Sequence, residues 1–592
     1  MCGIFGYIGP KTNAAKMVIE GLKSLEYRGY DSWGIALKTD NDIIVYKKTG
    51  KVGEINKLPK NLLGKTELAI GHTRWATHGG VTNANAHPHF TENKEIVLIH
   101  NGIFENYFEV KKQLLRKGHK FTSETDTEVI AHLIQENLKR HDFEQSVKNA
   151  IKKIEGRYAI VIIHKNENKI IAARRGSPLI VGVGKNGEYY IASDVPAFLK
   201  YTKKVMYLDN DQMVILSENS AKFYEIKTHK EIHKKMIEIG WDSQTAEKGA
   251  YAHFMLKEIM EQKETLYRAI NQDDRLIKKV ADAINNACGT YFVGCGTAGK
   301  VCLTAEYLFS EIAHKHVNSI FGSEFPTHHH FITNKTLLIP ISQSGETADT
   351  LEAIEVAKEV GAKIISIVNV ETSTMARMSD LIIPVKCGPE KAVASTKVTT
   401  AQMAILILLA YASIEKLSEG KILLLETAEK INDMLNPGYV MHIFKLAEKL
   451  KNFESMYIIG RGANYPMALE SAIKLQEVSY IHAEGFAAGE LKHGPIALIQ
   501  KNTPCIVLVG ENGSKSAILS NAMEVRARGG YIIGVSPTHE EVFDYWIRVP
   551  EVSIASPIVN IIPIQILAYQ LAILRKNNPD MPRNLAKSVT VK

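Results

Sequence analysis

The sequence predicts an α+β domain of packed antiparallel sheets, followed by two α/β domains that each contain a parallel sheet. Short apolar segments bounded by turn residues dominate the first ~240 residues, whereas longer helical patterns alternate with apolar strands after residue ~250. The second part also contains an internal repeat. At ~150 residues per domain, the 592 residues are enough to build several hydrophobic cores.

Hydrophobic periodicity predicts the individual elements. In the N-terminal part, strands are predicted at 43–46, 96–100, 158–163, 169–173, 189–192 and 213–216, and helices at 13–25 and 127–137. In the C-terminal part, strands are predicted at 291–293, 337–341, 364–368 and 381–385, and then at 456–459, 505–509, 531–535 and 545–549. The sequence YFVGCG at 291–296 returns as YIIGRG at 457–462, an offset of 166 residues (460 − 294). Two similar domains of right-handed βαβ units in tandem explain this pattern.

The composition excludes several classes of protein. Hydrophobic residues make up 45% and charged residues 23%, so a disordered, collagen-like or low-complexity chain is excluded. The net charge of +8 is dilute and no dense Lys/Arg run occurs, so no nucleic-acid partner is expected. The six cysteines form no CxxC pair, which indicates a reducing cytosol. The N-terminus has no signal-peptide pattern, and no apolar run is expected to approach the ~20 residues that span a membrane, the longest candidate being 404–412. A cytoplasmic protein is therefore predicted.

Cys2 is the first candidate for chemistry. Removal of Met1 would give it a free α-amine with a pKa near ~7.7–8.0, which can accept the thiol proton. A lone cysteine is more often a buried small thiol, so its neighbours in the sequence decide. Four motifs follow in order: CGIFG at 2–6, YRGYDSWG at 27–34, GHTRWATHG at 71–79 and HNGI at 100–103.

Together these motifs resemble the glutaminase domain of class II glutamine amidotransferases, over about residues 2–237. The resemblance implies an N-terminal-nucleophile sandwich (αββα) that releases ammonia from glutamine through a thioester on Cys2. It also implies that Asn101 and Gly102 stabilise the oxyanion, that Arg74 binds the α-carboxylate and that Asp126 binds the α-ammonium. The remaining residues that it assigns to the glutamine site are Trp75 as a gate, Thr77 and His78 on a closing loop, and His87 near the cysteine.

These positions could also have roles in the fold that involve no chemistry. Asn101-Gly102 is a common hairpin turn, and Asp126-Thr127 is suited to a helix N-cap. His87, in the sequence NAHPH, could lie on the surface of a loop.

The sharpest motif of the C-terminal part is LIPISQSGETADT at 338–350, in which a strand enters a Ser/Gly/Thr turn before a helix. Hydroxyls and backbone N–H groups at a helix N-terminus bind anions, although Ser344 or Thr347 could simply cap the helix. With a second turn, GCGT at 294–297, the motif resembles the sugar isomerase (SIS) domain over about 282–414 and 444–573. The resemblance implies doubly wound parallel sheets and a phosphosugar site that includes Thr297, Ser342, Gln343, Ser344 and Thr347.

Two features depart from the family pattern. Ala298 stands where the family often has Ser, so one phosphate-binding hydroxyl is missing. The run His328–His330 could suggest a metal site, but adjacent histidines on a strand point to opposite faces, so a surface position is favoured and no metal is predicted.

The second repeat carries Glu470, Lys474 and Glu477 at helical spacing, which is usually a solvated charged face. The flanking sequence IHAEGFAAGELKHGP at 481–495 closely resembles the isomerase half of the family that makes glucosamine 6-phosphate. The resemblance implies that Glu477 moves a proton between C1 and C2, assisted by Lys474, and that His493 from a neighbouring subunit opens the sugar ring. It further implies a Schiff base on Lys587 in the tail PRNLAKSVTV, and a sugar-lining loop at 390–397 with Glu390, Val393 and Ser395.

The resemblances thus imply conversion of glutamine and fructose 6-phosphate to glucosamine 6-phosphate and glutamate, the first step of hexosamine synthesis. Ammonia would travel in a dry channel from Cys2 to C2 of the sugar, without a metal, redox cofactor or pyridoxal phosphate, in a homodimer. The expected domains are 2–238, a linker at 239–250, 251–425, 426–580 and a catalytic tail at 581–592. The alternatives are a sugar-phosphate-binding regulator, and an amidotransferase or deglycase that acts on a different phosphosugar.

Overall fold

The computed structural model describes residues 2–40, 42–55, 62, 64–76, 78–239, 248–249, 251–510 and 513–590. The chain divides into two compact units, which are described separately below. The N-terminal unit comprises Met1–Thr245 with Ala586–Lys592, and the C-terminal unit comprises Ala246–Leu585. Most of the predicted linker at 239–250 lies outside the described residues.

The described part of the N-terminal unit contains two antiparallel sheets with helices on both outer sides. The strands run in the order β15-β11-β9-β10-β1-β4-β2-β3 in one sheet and β14-β13-β12-β8-β7-β6-β5 in the other. The strands are β1 Gly3–Ile8, β2 Ser32–Lys38, β3 Ile43–Thr49, β4 Leu68–Arg74, β5 His89–Phe90, β6 Ile96–Gly102, β7 Tyr158–His164, β8 Glu167–Arg175, β9 Ile180–Val183, β10 Tyr189–Ala192, β11 Lys204–Tyr207, β12 Gln212–Ser217, β13 Ser220–Glu225, β14 Glu231–Ile232 and β15 Ile237–Glu238. The helices are α1 Ala14–Ser24, α2 Tyr107–Arg116, α3 Asp126–Leu138 and α4 Phe143–Ile151.

Successive side chains along each strand point to opposite faces of its sheet, and this alternation produces the four-layer arrangement. Ile4, Val97 and Val161 point into a core between the two sheets. The opposite face of the first sheet packs on α1, and that of the second sheet packs on α2, α3 and α4. The predicted αββα sandwich is therefore confirmed.

The C-terminal unit contains two parallel sheets of the same topology. Within the described residues, the strand orders are β17-β16-β18-β19-β20 and β22-β21-β23-β24-β25. The strands are β16 Gly289–Gly294, β17 Asn318–Phe321, β18 Thr336–Ser342, β19 Lys363–Val368, β20 Leu381–Pro384, β21 Ser455–Gly460, β22 His482–Ala487, β23 Pro504–Leu508, β24 Tyr531–Ser536 and β25 Tyr545–Arg548. The helices are α5 Phe254–Met260, α6 Gln262–Ile270, α7 Asp274–Asn286, α8 Gly296–Leu308, α9 Ala348–Glu359, α10 Thr374–Met378, α11 Lys397–Ala412, α12 Leu417–Met434, α13 Pro437–Leu450, α14 Tyr465–Ser479, α15 Lys515–Arg526 and α16 Ser556–Leu574.

The matching strand orders confirm the predicted tandem repeat. Every predicted strand and helix has a counterpart, but periodicity missed the edge strands β17 and β22. Their sequences, NSIF and HAEGFA, are half-exposed and carry polar residues, so they lack the apolar run of the inner strands. It also missed β1, β2 and β4, because strands that are buried on both faces show no alternation. The other strands that it missed are β5, β9, β11, β13, β14 and β15.

The expectation that no apolar segment is long enough to cross a membrane was wrong. Among the described residues, the segment Ser553–Leu574 is long and apolar enough to cross a membrane, with a mean hydropathy of 1.7. The most apolar window of this segment is 83% buried inside the protein. It therefore packs as a core helix, although Pro563 and several polar residues break its apolar pattern in the sequence.

Candidate active sites

Cys2 lies immediately before β1, which is hydrogen-bonded between β10 and β4 in the first sheet. Its Sγ donates to the carbonyl oxygen of Trp75 at 3.5 Å and accepts from the backbone N–H of Trp75 at 3.3 Å. Burial raises the pKa of the Cys2 thiol, while the Trp75 amide and the Arg74 charge act in the opposite direction. The thiol therefore rests in its protonated form and needs a base to become a nucleophile.

Asn101 and Gly102 end β6 in the second sheet, and they do not form a hairpin turn. The Asn101 Nδ2 donates to the carbonyl oxygen of Cys2 at 2.9 Å, so its amide lies beside the nucleophile. Gly102 has φ +125°, and a Cβ there would lie 1.9 Å from the carbonyl oxygen of Arg157, so only glycine is tolerated.

The guanidinium of Arg74 is engaged by the loop that follows it. It donates to the carbonyl oxygens of His78, Gly79 (3.0 Å) and Gly80 (3.1 Å). Asn85 holds the same loop, since its Nδ2 donates to the Gly80 carbonyl at 3.1 Å. The carboxylate of a substrate must therefore compete with backbone carbonyls for these donors.

Asp126 is the first residue of α3, and its Oδ2 accepts from the backbone N–H of Phe104 at 2.8 Å. This bond ties the helix to the segment after β6, so the carboxylate does not serve as an N-cap. Every predicted glutamine-site residue that the structure describes lines one cavity of about 20 Å³, while Thr77 lies outside the described residues. The lining residues are Cys2, Arg74, Trp75, His78, His87, His100, Asn101, Gly102, Thr125, Asp126, Thr127 and Thr590.

Sequence reasoning missed most of a buried histidine cluster beside this cavity. It comprises His72, His87, His89 and His100, each at most 5% exposed. The rings of His72 and His87 stack with centroids 4.1 Å apart, and those of His87 and His89 meet edge to face at 4.7 Å. Burial lowers the pKa of all four imidazoles, that of His72 to about 3. His72 and His100 stood inside the recognised motifs, which was the available signal.

In the C-terminal unit, the predicted anion-binding loop follows β18. Ser342 Oγ accepts from the backbone N–H of Gly345 at 2.9 Å, and Ser344 Oγ accepts from that of Glu346 at 3.2 Å. Glu346 Oε1 accepts from the N–H of Thr374 at 2.7 Å, which fixes the loop to the start of α10. Thr347 precedes α9, and its side chain makes no capping hydrogen bond to this helix.

A buried charge cluster lies where α8 packs against α14. Lys474 contacts both Glu470, at 3.4 Å, and Glu477, and Thr297 Oγ1 donates to Glu470 Oε1 at 3.0 Å. Lys474 and Glu470 are 0% exposed, so they do not form the solvated face that their spacing usually indicates. Burial raises the pKa of Glu470 to about 7 against the attraction of Lys474. Burial lowers the pKa of Lys474, but the two neighbouring carboxylates raise this pKa by a larger amount. The pKa of Lys474 therefore lies above its ordinary value.

The predicted sugar-lining loop is braced by carboxylates. Glu390 Oε1 accepts from the backbone N–H groups of Thr396 (2.9 Å) and Val398 (3.2 Å) at the start of α11. The N–H of Val393 donates to the carbonyl oxygen of Asp580 at 3.0 Å. Ser395 is half-buried, and its Oγ accepts from Thr399 at 3.3 Å. In this structure Glu390 thus supports the loop through the backbone.

The remaining predicted residues of the sugar site are His493, Gln343 and Lys587. His493 is exposed on the turn Leu491–His493, and among the described residues it makes no hydrogen bond to Lys474 or Glu477. Gln343 is half-buried beside Ser342. Lys587 belongs to the N-terminal unit.

The histidine run lies in a short 3₁₀ helix, Phe325–Phe331, instead of the strand assumed from the sequence. His329 and His330 are exposed, which agrees with the surface position favoured above. Among the described residues, no group of His, Cys, Asp or Glu is arranged to hold a metal ion.

Comparisons with known proteins find a matching family model in each half of the chain. A family model described as a glutamine amidotransferase domain matches residues 59–254, and one described as a SIS domain matches 284–412 and 449–575. The glutamine–fructose-6-phosphate aminotransferase (isomerizing) of Thermococcus kodakarensis is 44% identical over 608 residues, covering 100% of both chains. The protein of the same name from Thermus thermophilus is 41% identical over 613 residues, again covering 100% of both chains.

The fold of the C-terminal unit is similar to that of a solved structure. The C-terminal domain of glucosamine-fructose-6-phosphate aminotransferase from Francisella tularensis matches with a TM-score of 0.53 and 32% identity, covering 56% of this chain and 99% of that one. Identity above 40% over the full length of both chains assigns the family, and the glutamine amidotransferase and SIS models agree with this assignment. The chain belongs to the glutamine–fructose-6-phosphate aminotransferase (isomerizing) family.

Proposed function

We propose that the chain converts L-glutamine and D-fructose 6-phosphate to D-glucosamine 6-phosphate and L-glutamate. The observation that carries this proposal is the pairing of two unlike sites in one chain. A thiol lies beside an amide donor in one unit, and a buried lysine lies between two carboxylates in the other. The first set suits acyl transfer, and the second suits proton transfer next to a carbonyl.

In the glutaminase half, Cys2 Sγ attacks the side-chain amide of glutamine. After removal of Met1, the α-amine of Cys2 takes the thiol proton. The oxyanion receives hydrogen bonds from Asn101 Nδ2 and the backbone N–H of Gly102. The protonated α-amine gives its proton to the departing nitrogen, which leaves as ammonia, and water hydrolyses the thioester to glutamate and the free thiol. Arg74 and Asp126 bind the α-carboxylate and α-ammonium groups. The other residues of this site are Trp75, Thr77, His78 and His87.

In the isomerase half, hydroxyl and amide groups after β16 and β18 bind the phosphate. Lys587 forms a Schiff base with C2 of the open-chain ketose, with loss of water, and ammonia then displaces the lysine to leave a C2 imine. Glu477, beside the charged Lys474, moves a proton from C1 to C2, and the proton of the C1 hydroxyl passes to the nitrogen. The product has an aldehyde at C1 and an amine at C2. His493 from a second copy of the chain opens the sugar ring. The phosphosugar-binding residues are Thr297, Ser342, Gln343, Ser344, Thr347, Glu390, Val393 and Ser395.

Ammonia must stay neutral to attack the sugar, because ammonium has no free electron pair. We therefore propose that it passes from Cys2 to the sugar through a channel shielded from water and gated by Trp75. The proposal includes a homodimer, the domain boundaries predicted from the sequence, and no resident cofactor. All six cysteines are free, which supports a cytoplasmic location.

Labelled nitrogen tests the proposal directly. The protein is incubated with fructose 6-phosphate and glutamine that carries ¹⁵N in the side-chain amide, and the products are identified by mass spectrometry. We expect ¹⁵N in glucosamine 6-phosphate in a one-to-one ratio with glutamate. Label that is found only in free ammonia would contradict the proposal, and incorporation into a different amino sugar phosphate would identify another substrate.

A further inference from the structure

We infer that His72 is a positioning residue of the glutaminase reaction, which holds the side chain of Asn101 with its NH₂ group directed at the oxyanion. The inference rests on the proposed glutamine hydrolysis, and it does not depend on the sugar chemistry. His72 is not among the residues that line the cavity, so we infer that it acts on the reaction through Asn101.

The orientation of Asn101 follows from its neighbours. One atom of its amide lies 2.9 Å from the carbonyl oxygen of Cys2, which can only accept a hydrogen bond. That atom must therefore be the NH₂ nitrogen, and the amide oxygen Oδ1 faces His72 Nε2 at 2.9 Å. His72 Nε2 is also 3.0 Å from the carbonyl oxygen of His100. Both of these neighbours are acceptors, so Nε2 carries the proton and the tautomer of His72 is fixed.

The surroundings keep His72 neutral and stationary. It lies on β4, paired with Ile4 of β1 and Gly34 of β2, and is 0% exposed. Its ring stacks on His87, and its Nδ1 is buried with no hydrogen-bond partner among the described residues. Burial holds the pKa of His72 at about 3, so the ring carries no charge at neutral pH.

The bond also links the two sheets of the sandwich. His72 belongs to the sheet that carries Cys2, and Asn101 belongs to the other sheet. Without the donor on His72, the Asn101 amide can rotate and present Oδ1 to the oxyanion, which replaces an attraction by a repulsion. Loss of one oxyanion donor costs on the order of 10²–10³ in kcat.

The test compares His72→Phe, which keeps an aromatic ring but has no donor, with His72→Gln, which keeps an N–H donor. Glutamine hydrolysis is measured without sugar phosphate. We expect His72→Phe to lower kcat at least tenfold with KM changed less than about threefold, and His72→Gln to recover most of the rate. In an Asn101→Ala background, His72→Phe should cause no further loss, because the group through which His72 acts is gone.

Alkylation of Cys2 by iodoacetamide needs no oxyanion donor, so its rate should be the same in both His72 variants and the parent. Full kcat in His72→Phe, an undiminished loss in the Asn101→Ala background, or an equal fall in alkylation would overturn the inference. If the variants fail to fold, ¹⁵N NMR of the parent decides, because a proton on His72 Nδ1 instead of Nε2 contradicts it. Hydrolysis that responds as expected while no amino sugar forms would disprove the proposed function and leave this inference intact.

Discussion

The two candidate sites bury polar groups in opposite ways. The N-terminal site holds a cluster of neutral imidazoles near its nucleophile, together with Arg74 and Asp126, and burial lowers the pKa of its histidines. The C-terminal site buries a cation between two carboxylates, and burial raises the pKa of Glu470 to about 7. Acyl transfer needs donors that point in one fixed direction, whereas proton transfer needs groups whose charge can change near neutral pH. The comparison therefore indicates which chemistry each unit is built to perform.

The replacement Cys2→Ala should separate the activities of the two sites most completely. Glutamine-dependent synthesis should fall by a factor on the order of 10⁴ or more, because no other group can form the thioester. Interconversion of fructose and glucose 6-phosphates should stay within about twofold, because the C-terminal site does not use the thiol. Both reactions are measured on the same preparation. Loss of isomerisation in a folded Cys2→Ala protein would show that the two sites do not divide the work.

The replacement Lys474→Met should destabilise the C-terminal unit by about 3–5 kcal/mol, because the buried Glu470 and the partly buried Glu477 lose their cation. Denaturant unfolding followed by a probe in this unit measures the change. The matched control, Lys474→Met with Glu470→Gln, removes one uncompensated charge and should recover a large part of the loss. Equal stability of the single and double variants would mean that Glu470 is not charged beside Lys474.

The two units should respond to acid with opposite signs. The histidines have a folded pKa below the ordinary 6.5, so the unfolded chain binds protons first. Their contribution to stability is complete above pH ~6.5 and is lost as the pH falls toward the folded values, at about 1.4 kcal/mol for each tenfold difference in proton affinity. Glu470 has a folded pKa above the ordinary 4.5, so the folded chain binds its proton more tightly. Its contribution rises as the pH falls from about 7 to 4.5.

Hydrogen exchange read out by peptide mass spectrometry at pH 7.5 and 5.5 can separate these effects. We expect lower protection around β4 and β6 at pH 5.5, and equal or higher protection in α14. The control Glu470→Gln should abolish the response of α14 and leave that of β4 unchanged. A change of the same sign in both units would contradict the assignment of neutral and charged sites.

The smallest effect is expected at Glu346, which anchors the anion-binding loop to Thr374. Glu346→Ala should raise the KM for fructose 6-phosphate about tenfold by releasing the loop, the equivalent of one hydrogen bond to a charged group. Glu346→Gln keeps the accepting oxygen and should stay within about threefold of the parent. Glutamine hydrolysis should be unaffected in both variants, and a matching defect there would point to general destabilisation.

Contiguous motifs made the N-terminal site predictable almost residue by residue. Cys2, Arg74, Asn101 and Asp126 come from four separate segments, yet each lies within a short recognisable sequence and lines the same cavity. The hydrogen bond from His72 to Asn101 could not be predicted, because it joins two sheets and depends on their separation.

The C-terminal unit was harder to predict in detail. Local spacing of Lys474 and Glu477 indicated a solvated face, whereas Lys474 is buried where α14 packs against α8 and other elements of the unit. The backbone bonds of Glu390 were equally hidden, since nothing in the sequence marks a glutamate seven residues before α11 as the acceptor at its start. Sequence patterns thus proposed the reactive groups, whereas long-range packing determines their burial and their hydrogen-bond partners.

The Asp580 carboxylate accepts from the backbone N–H groups of Phe254 (2.9 Å) and Met255 (2.8 Å), near the start of the same unit. The Asp580 side chain thus holds the first and last segments of the double SIS unit next to each other. A module closed in this way needs only short connectors, because its ends leave from the same place. Such a module can be fused to a new neighbour, or permuted by joining its old ends and opening a surface loop, without disturbing its core.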